Sequence, residues 1–162
     1  MKFLRIHLVL LFAFTNLYSQ TTEKEALKKL SFIIGNWEGK SISYNDNNET
    51  KEVAVVENVQ YIMDGNLISL DVKSPWIALH TIISYSTKDK KYYYYPFSKE
   101  GNKKGYEGRI EGDRFLVYFN ASGRLTFTRT AKGEFHEYGE KLVDGKWKKY
   151  FEDILQPKAS KK

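Results

Sequence analysis

Cysteine is missing from all 162 residues. That excludes disulfide staples and any thiolate nucleophile or metal ligand, so a domain of this size must be stabilised by buried apolar surface. Proline occurs only three times and histidine three times. Beyond the first twenty residues only His80 and His136 remain, and neither has a second histidine nearby, which leaves a zinc site almost nothing to draw on. No Gly-x-Ser-x-Gly elbow is present. The stretch from Gly101 to Gly112 lacks the Gly-Lys-Ser/Thr ending of a phosphate loop. No apolar run reaches the length of about 20 residues needed to cross a bilayer.

The one sustained apolar run, Leu8 to Phe14, follows Lys2 and Arg5 and ends in the more polar Tyr18-Ser19-Gln20. This layout is that of a cleavable export signal, so residues 1–20 are set aside from the fold. Cleavage of the first 20 of 162 residues leaves 142, the size of one ordinary domain. Without a cysteine at the new N-terminus no lipid anchor is expected. The mature chain is therefore expected in the periplasm or outside the cell, with no stable membrane insertion.

The formal charge of +6 does not describe a basic surface. Lys2 and Arg5 leave with the signal, and Lys158, Lys161 and Lys162 sit in the tail, so residues 21–156 carry about +1. Nucleic acid is not an expected partner. The six lysines between Lys88 and Lys104 read as the charged flanks of a solvated hairpin.

Thr22-Glu23-Lys24-Glu25 fits a capping box, and Ala26, Leu27, Leu30, Ile33 and Ile34 recur at helical spacing up to Gly35. This predicts a helix of about three turns with one apolar face. From Trp37 onward the chain reads as strands and turns, over 37–45, 50–62, 66–73, 76–87, 90–98, 104–110, 113–120, 123–130, 133–141 and 145–155. Tight-turn pairs such as Asp64-Gly65, Ser122-Gly123 and Asp144-Gly145 separate them. Alternation puts Phe115, Val117 and Phe119 on one face, Leu125 and Phe127 on another, and groups Trp147 with Phe151 and Leu155. No helix interrupts the strands, so parallel βαβ units are excluded. A meander this long avoids exposed edges best by closing. The expected fold is all-β: a single antiparallel up-and-down barrel of about eight to ten strands behind a short N-terminal helix. Its segments are a signal at 1–20, a capping helix at 21–36, the barrel at 37–156 and a disordered basic tail at 157–162.

The run Leu30-Ser31-Phe32-Ile33-Ile34-Gly35-Asn36-Trp37-Glu38-Gly39 is a helix end leading into a Gly-x-Trp-x-Gly strand start. It resembles the opening of the calycin superfamily of lipocalins and fatty-acid-binding proteins, and above all a group of small exported bacterial lipocalin-like proteins of unknown function. Asp64 to Leu67, Leu79 to Tyr85, Gly105 to Phe119 and Glu140 to Trp147 are similar as well. The resemblance implies a calycin-like barrel in which Trp37, between Gly35 and Gly39, seals the closed end beneath the helix. Haem-binding nitrobindin barrels share the same opening and ligate iron through a histidine on the last strand. Here that strand, Trp147 to Leu155, has none, so no haem and no other cofactor is expected.

Charged residues set among apolar strand positions carry the remaining signal. Glu57 interrupts the Val53, Val55, Val59 and Tyr61 face, and Arg129 continues the Leu125 and Phe127 face. Each is either at a rim, paired, or a polar handle in an apolar pocket. His80, in an apolar strand, reads as a buried, hydrogen-bonded structural histidine, and His136 as part of a solvated face. The expected function is non-enzymatic binding of a small hydrophobic or amphipathic molecule, with Arg129, His80, Glu57, Tyr85 and Phe127 at the site. Arg129 would take a ligand carboxylate and otherwise pair with Glu57 or Glu152. Two alternatives stand beside this reading. One is a barrel enzyme using Tyr/Glu/Arg acid–base chemistry, which a carboxylate of raised pKa in the interior would favour. The other is a surface module meeting protein or glycan through the rings of Tyr92 to Tyr95. The processing expectation is directly testable: the mature chain begins near Gln20 or Thr21 and fractionates with soluble envelope or secreted proteins. Mass spectrometry that recovers the chain from membranes with Met1 intact would overturn it.

Overall fold

The computed structural model describes residues 21–45, 47, 49–101 and 104–159, and the signal expected at 1–20 lies outside them. Ten antiparallel strands follow in order: β1 Gly35–Tyr44, β2 Thr50–Ile62, β3 Leu67–Lys73, β4 Ala78–Ser86, β5 Lys91–Phe97, β6 Tyr106–Glu111, β7 Arg114–Asn120, β8 Gly123–Arg129, β9 Phe135–Val143 and β10 Lys146–Pro157. Each pairs with the next, and β1 pairs with β10, so the meander closes into a barrel. Among the described residues no helix is long and apolar enough to cross a membrane.

The helix is shorter than the periodicity predicts. Helix α1 covers only Glu23–Lys28, opened by the reciprocal Thr22–Glu25 capping box. The chain then tightens into a 3-10 turn at Ser31–Ile33, with Leu30 N–H bonded to Leu27 O and Ile33 N–H to Leu30 O. Three residues per turn stack positions i, i+3 and i+6 on one side. Leu27, Leu30 and Ile33 are consequently all directed onto the barrel end, and all are fully buried. Six helical residues do not hold themselves together in water. Docking does it: each of these side chains contributes about 2 kcal/mol of apolar burial, and the Tyr92 hydroxyl donates to Ala26 O at 2.8 Å.

The Gly-x-Trp-x-Gly segment has a physical reason at each position. Gly35 has φ of +151°, which side-chain-bearing residues rarely adopt. Trp37 is 3% exposed, donates from its indole N–H to Ile33 O at 2.8 Å and packs its ring against Phe135. A Cβ at Gly39 would lie 2.1 Å from Ile154 O, so only glycine lets β1 and β10 pair here. Beneath the helix, Val59, Ile68, Leu70, Ile83, Phe115, Phe127 and Leu155 complete a buried apolar plug.

Two features of β10 differ from the sequence reading. Pro157 belongs to β10 opposite Trp37 rather than to the tail, and Lys158 N–H donates to Asn36 O. On β10 the register shifts between Lys149 and Phe151, so period two fails there. Trp147 is therefore not on the Phe151 and Leu155 face; it lies half-buried under the Arg124 guanidinium, 4.2 Å from it.

Because Trp37 is both plug and hydrogen-bond donor, Trp37→Ala is expected to cost about 3–5 kcal/mol in chemical denaturation. A loss below about 1 kcal/mol would mean that the closed end does not depend on this ring.

Candidate functional site

Above the apolar plug the inward rows change character. Glu57 on β2, Glu137 on β9 and Asp153 on β10 occupy inward positions, each aligned with inward neighbours: Glu57 with Trp37 and Val72, Glu137 with Phe127, Asp153 with Ser41. Glu137 and Asp153 are themselves direct cross-strand partners. The three are 3%, 6% and 5% exposed. Both oxygens of Glu57, Oε2 of Glu137 and Oδ1 of Asp153 are buried without a hydrogen-bond partner. No ion pair among the described residues reaches any of them.

Tyr94 comes from the facing strand β5, 3% exposed, its phenolic oxygen accepting from the buried Thr81 hydroxyl at 3.4 Å. Tyr150 reaches the same layer through the β10 bulge. Gly139 opposite, with no side chain, leaves room for the Tyr150 and Phe151 rings. Strict alternation would put Tyr150 on the face opposite Phe151 and Leu155.

Burial of a carboxylate without a partner strongly disfavours its charged form. Desolvation, then the charge of Asp153, pushes the Glu57 carboxyl well above the usual range. Desolvation with the charges of Glu57 and Asp153 does the same to Glu137. Asp153 is pushed up to about 6, chiefly by desolvation, against a hydrogen bond from Ser41. Desolvation, then Glu137, raises the Tyr94 hydroxyl as well. These mutual influences tie β2, β5, β9 and β10 to one polar layer. On the side away from the helix the layer is bordered by Val53, Leu79, Tyr106, Phe119 and Phe151, which are only partly buried.

Of the residues singled out from sequence, Glu57 lies in this layer, unpaired. Phe127 is fully buried in the plug, and Tyr85 is half-buried at the helix end with its ring edge-on to Tyr92. His80 is not interior: it pairs with Asp71 on the outer face at 2.8 Å, with half its side chain exposed. Arg129 requires a correction. Alternation is right in that it pairs with inward Phe135, but it is the last residue of β8 and projects past the plug. Its guanidinium covers the outside of Trp37, 4.9 Å from the ring, and donates to Phe32 O and Gly133 O. Neither Glu57 nor Glu152 is its partner. Glu137 and Asp153 were not singled out, although the rule that flagged Glu57 applies to them: each sits at period two between inward residues, Phe135 and Gly139 or Phe151 and Leu155.

Two other clefts are less telling. A groove of about 730 Å³ runs where α1 meets the short β5–β6 pairing. Its ion pair Lys91–Glu107 is about half exposed, which makes it worth little. On the outer face Glu152 accepts from Tyr44, His136 and Lys149. Burial alone would raise its pKa, but those three donors hold it at about 2. That cluster is satisfied; the interior one is not. His136, expected on a solvated face, has only 16% of its side chain exposed. No family model matches the chain, and no curated protein is similar to it at a significant level.

The interior layer sets a pH dependence. A carboxyl whose folded pKa lies above its unfolded value stabilises the fold below the unfolded pKa, and that stability is lost as pH rises through the folded pKa. For Asp153 the window runs from 3.8 to about 6, and the loss amounts to roughly 3 kcal/mol. Asp153→Asn keeps the shape without the charge, so it is expected to exceed wild-type stability at pH 8 and to match it near pH 4. Denaturation curves showing the same difference at both pH values would refute this.

Proposed function

We propose that this chain is an exported lipocalin-like barrel that holds a small amphipathic molecule in its interior, in the periplasm or outside the cell. The observation that carries the reading is the set of four orphaned acceptor oxygens inside an otherwise apolar barrel. Each unsatisfied buried polar atom costs about 1–3 kcal/mol, and a ligand that meets them offsets the cost. Small-ligand sites have this make-up of many apolar walls and a few convergent polar groups. The apolar part would lie along Val55, Val72, Val117 and Leu125, which are buried around the polar layer. The resemblance of Gly35-Asn36-Trp37-Glu38-Gly39 to the lipocalin opening supports the same reading.

One observation favours a second reading, acid–base catalysis on a bound molecule. Carboxyls whose pKa burial raises, beside Tyr94, are candidates for proton transfer, and Asp153 is pushed up to about 6. A surface role for the Tyr92–Tyr95 row finds less support, because Tyr92 and Tyr94 are buried inward and only Tyr93 and Tyr95 lie outside.

Native mass spectrometry of the protein purified from its own host tests the main reading. The expected result is a mass excess of one small molecule that is lost on denaturation. A spectrum showing the bare chain alone, together with no binding of neutral apolar probes at sub-millimolar concentration, would overturn it.

A further inference from the structure

We propose that the molecule held in the barrel carries a cationic head rich in N–H donors, an ammonium or guanidinium group on an apolar body, and that Glu57, Glu137 and Asp153 receive it. The inference rests on the interior-binding reading above and adds the chemical class of the ligand. It reverses the choice the sequence suggested, a carboxylated amphiphile held by Arg129.

The inventory of the layer decides the sign of the head. The orphaned atoms of the layer are Glu57 Oε1 and Oε2, Glu137 Oε2 and Asp153 Oδ1, all carboxyl oxygens; the fifth buried oxygen without a partner, Thr126 Oγ1, is on the other row, opposite Tyr138. An ionised carboxylate only accepts hydrogen bonds, whereas an ammonium brings three donors and no acceptor. A carboxylate, sulfate or phosphate head would bring further negative charge beside carboxyls that burial already keeps from ionising, whereas a cation favours their charged forms. Arg129, the cation that alternation put on this face, is engaged at the closed end with Phe32 O, Gly133 O and the Trp37 ring. An N⁺–H···O⁻ contact in such a site is charge-assisted and about twice as strong as a neutral one.

The same inventory predicts proton linkage. The titratable groups turned towards the layer are Glu57 on β2, Tyr94 on β5, Glu137 on β9, and Tyr150 and Asp153 on β10, with the charge of Glu152 acting on Asp153. In the empty barrel the carboxyls resist ionising. A cation favours their charged forms, so binding releases protons and tightens as pH rises through about 6, where Asp153 titrates. A neutral head has no such effect.

The test compares decylamine, decanol and decanoate, three heads on one chain, by isothermal titration calorimetry at pH 6 and pH 7.5. Each titration is repeated in two buffers of different ionisation enthalpy. Decylamine is expected to bind at least tenfold more tightly than decanol and to release protons at pH 6, with decanoate weakest. In the Glu57→Gln and Asp153→Asn variants, checked for folding by thermal melt, the amine preference should fall at least tenfold while decanol affinity holds. Decanol or decanoate binding as tightly as the amine would overturn the cationic head and leave interior binding standing. So would amine binding without proton release in the wild-type protein, a result that needs no variant. Binding of none of the three would overturn both.

Discussion

Everything in this molecule depends on β1 lying against β10 closely enough to close the barrel. That contact leaves no room for a side chain at residue 39, where a Cβ would press on Ile154 O. Closure removes the two free edges of a ten-stranded meander, edges that would otherwise invite pairing with another chain. It also fixes the register that brings Ser41 opposite Asp153 and Trp37 opposite Glu57 and Pro157. The plug follows from that register. Trp37 is held at the bottom of the lumen, bonded to Ile33 O, with Phe135 beside it and the Arg129 guanidinium across its ring. The short helix adds the lid, and without the barrel end to receive Leu27, Leu30 and Ile33 it has no reason to form.

The plug in turn permits the polar layer. Three carboxyls with little access to water are tolerated only because a large apolar core beneath them supplies the stability they remove. The core includes Phe115, Phe127 and Phe135, all fully buried, with Phe127 stacked between the other two. The two layers are therefore linked energetically as well as by position. One end of the lumen is optimised for packing, and the other carries a cost that packing alone does not explain.

Most of the fold was legible because antiparallel strands announce themselves twice, by alternation and by their turns. β2 falls at Thr50–Ile62, as the pattern predicts, and β3 begins one residue later than expected. What failed failed for local reasons. The 3-10 turn mimics helical spacing, since Leu27, Leu30 and Ile33 suit either period, so the helix was read too long. The bulge at Tyr150 leaves no mark in the sequence, yet it moves Trp147 outward and brings Tyr150 inward. Arg129 was given the right row and the wrong depth, because alternation tells which face a residue takes and not how far along the barrel its strand ends. For the site, alternation was sufficient to find Glu137 and Asp153 beside Glu57. Their spacing in sequence hid that β2, β9 and β10 meet across the closure.

The outer face shows what this chain does with a carboxylate it means to keep charged. Glu152 is sheltered, yet it receives the Tyr44 hydroxyl, the His136 imidazole and the Lys149 ammonium, and its pKa stays at about 2. Glu140, at the edge of burial, has Arg124 Nε at 2.7 Å, and the same guanidinium lies over Trp147. Glu140 and Glu152 lie on the same two strands as Glu137 and Asp153, and on the outer face they are met by donors from β1, β8, β9 and β10. Inside, the equivalent oxygens face Tyr94, Tyr150 and apolar walls and receive no cation. A sequence selected for stability alone would relieve these carboxyls by amide or apolar replacement, because an unpaired buried charge is the costlier arrangement. Three such carboxyls nonetheless stand together in one layer, bordered by side chains that are only partly buried.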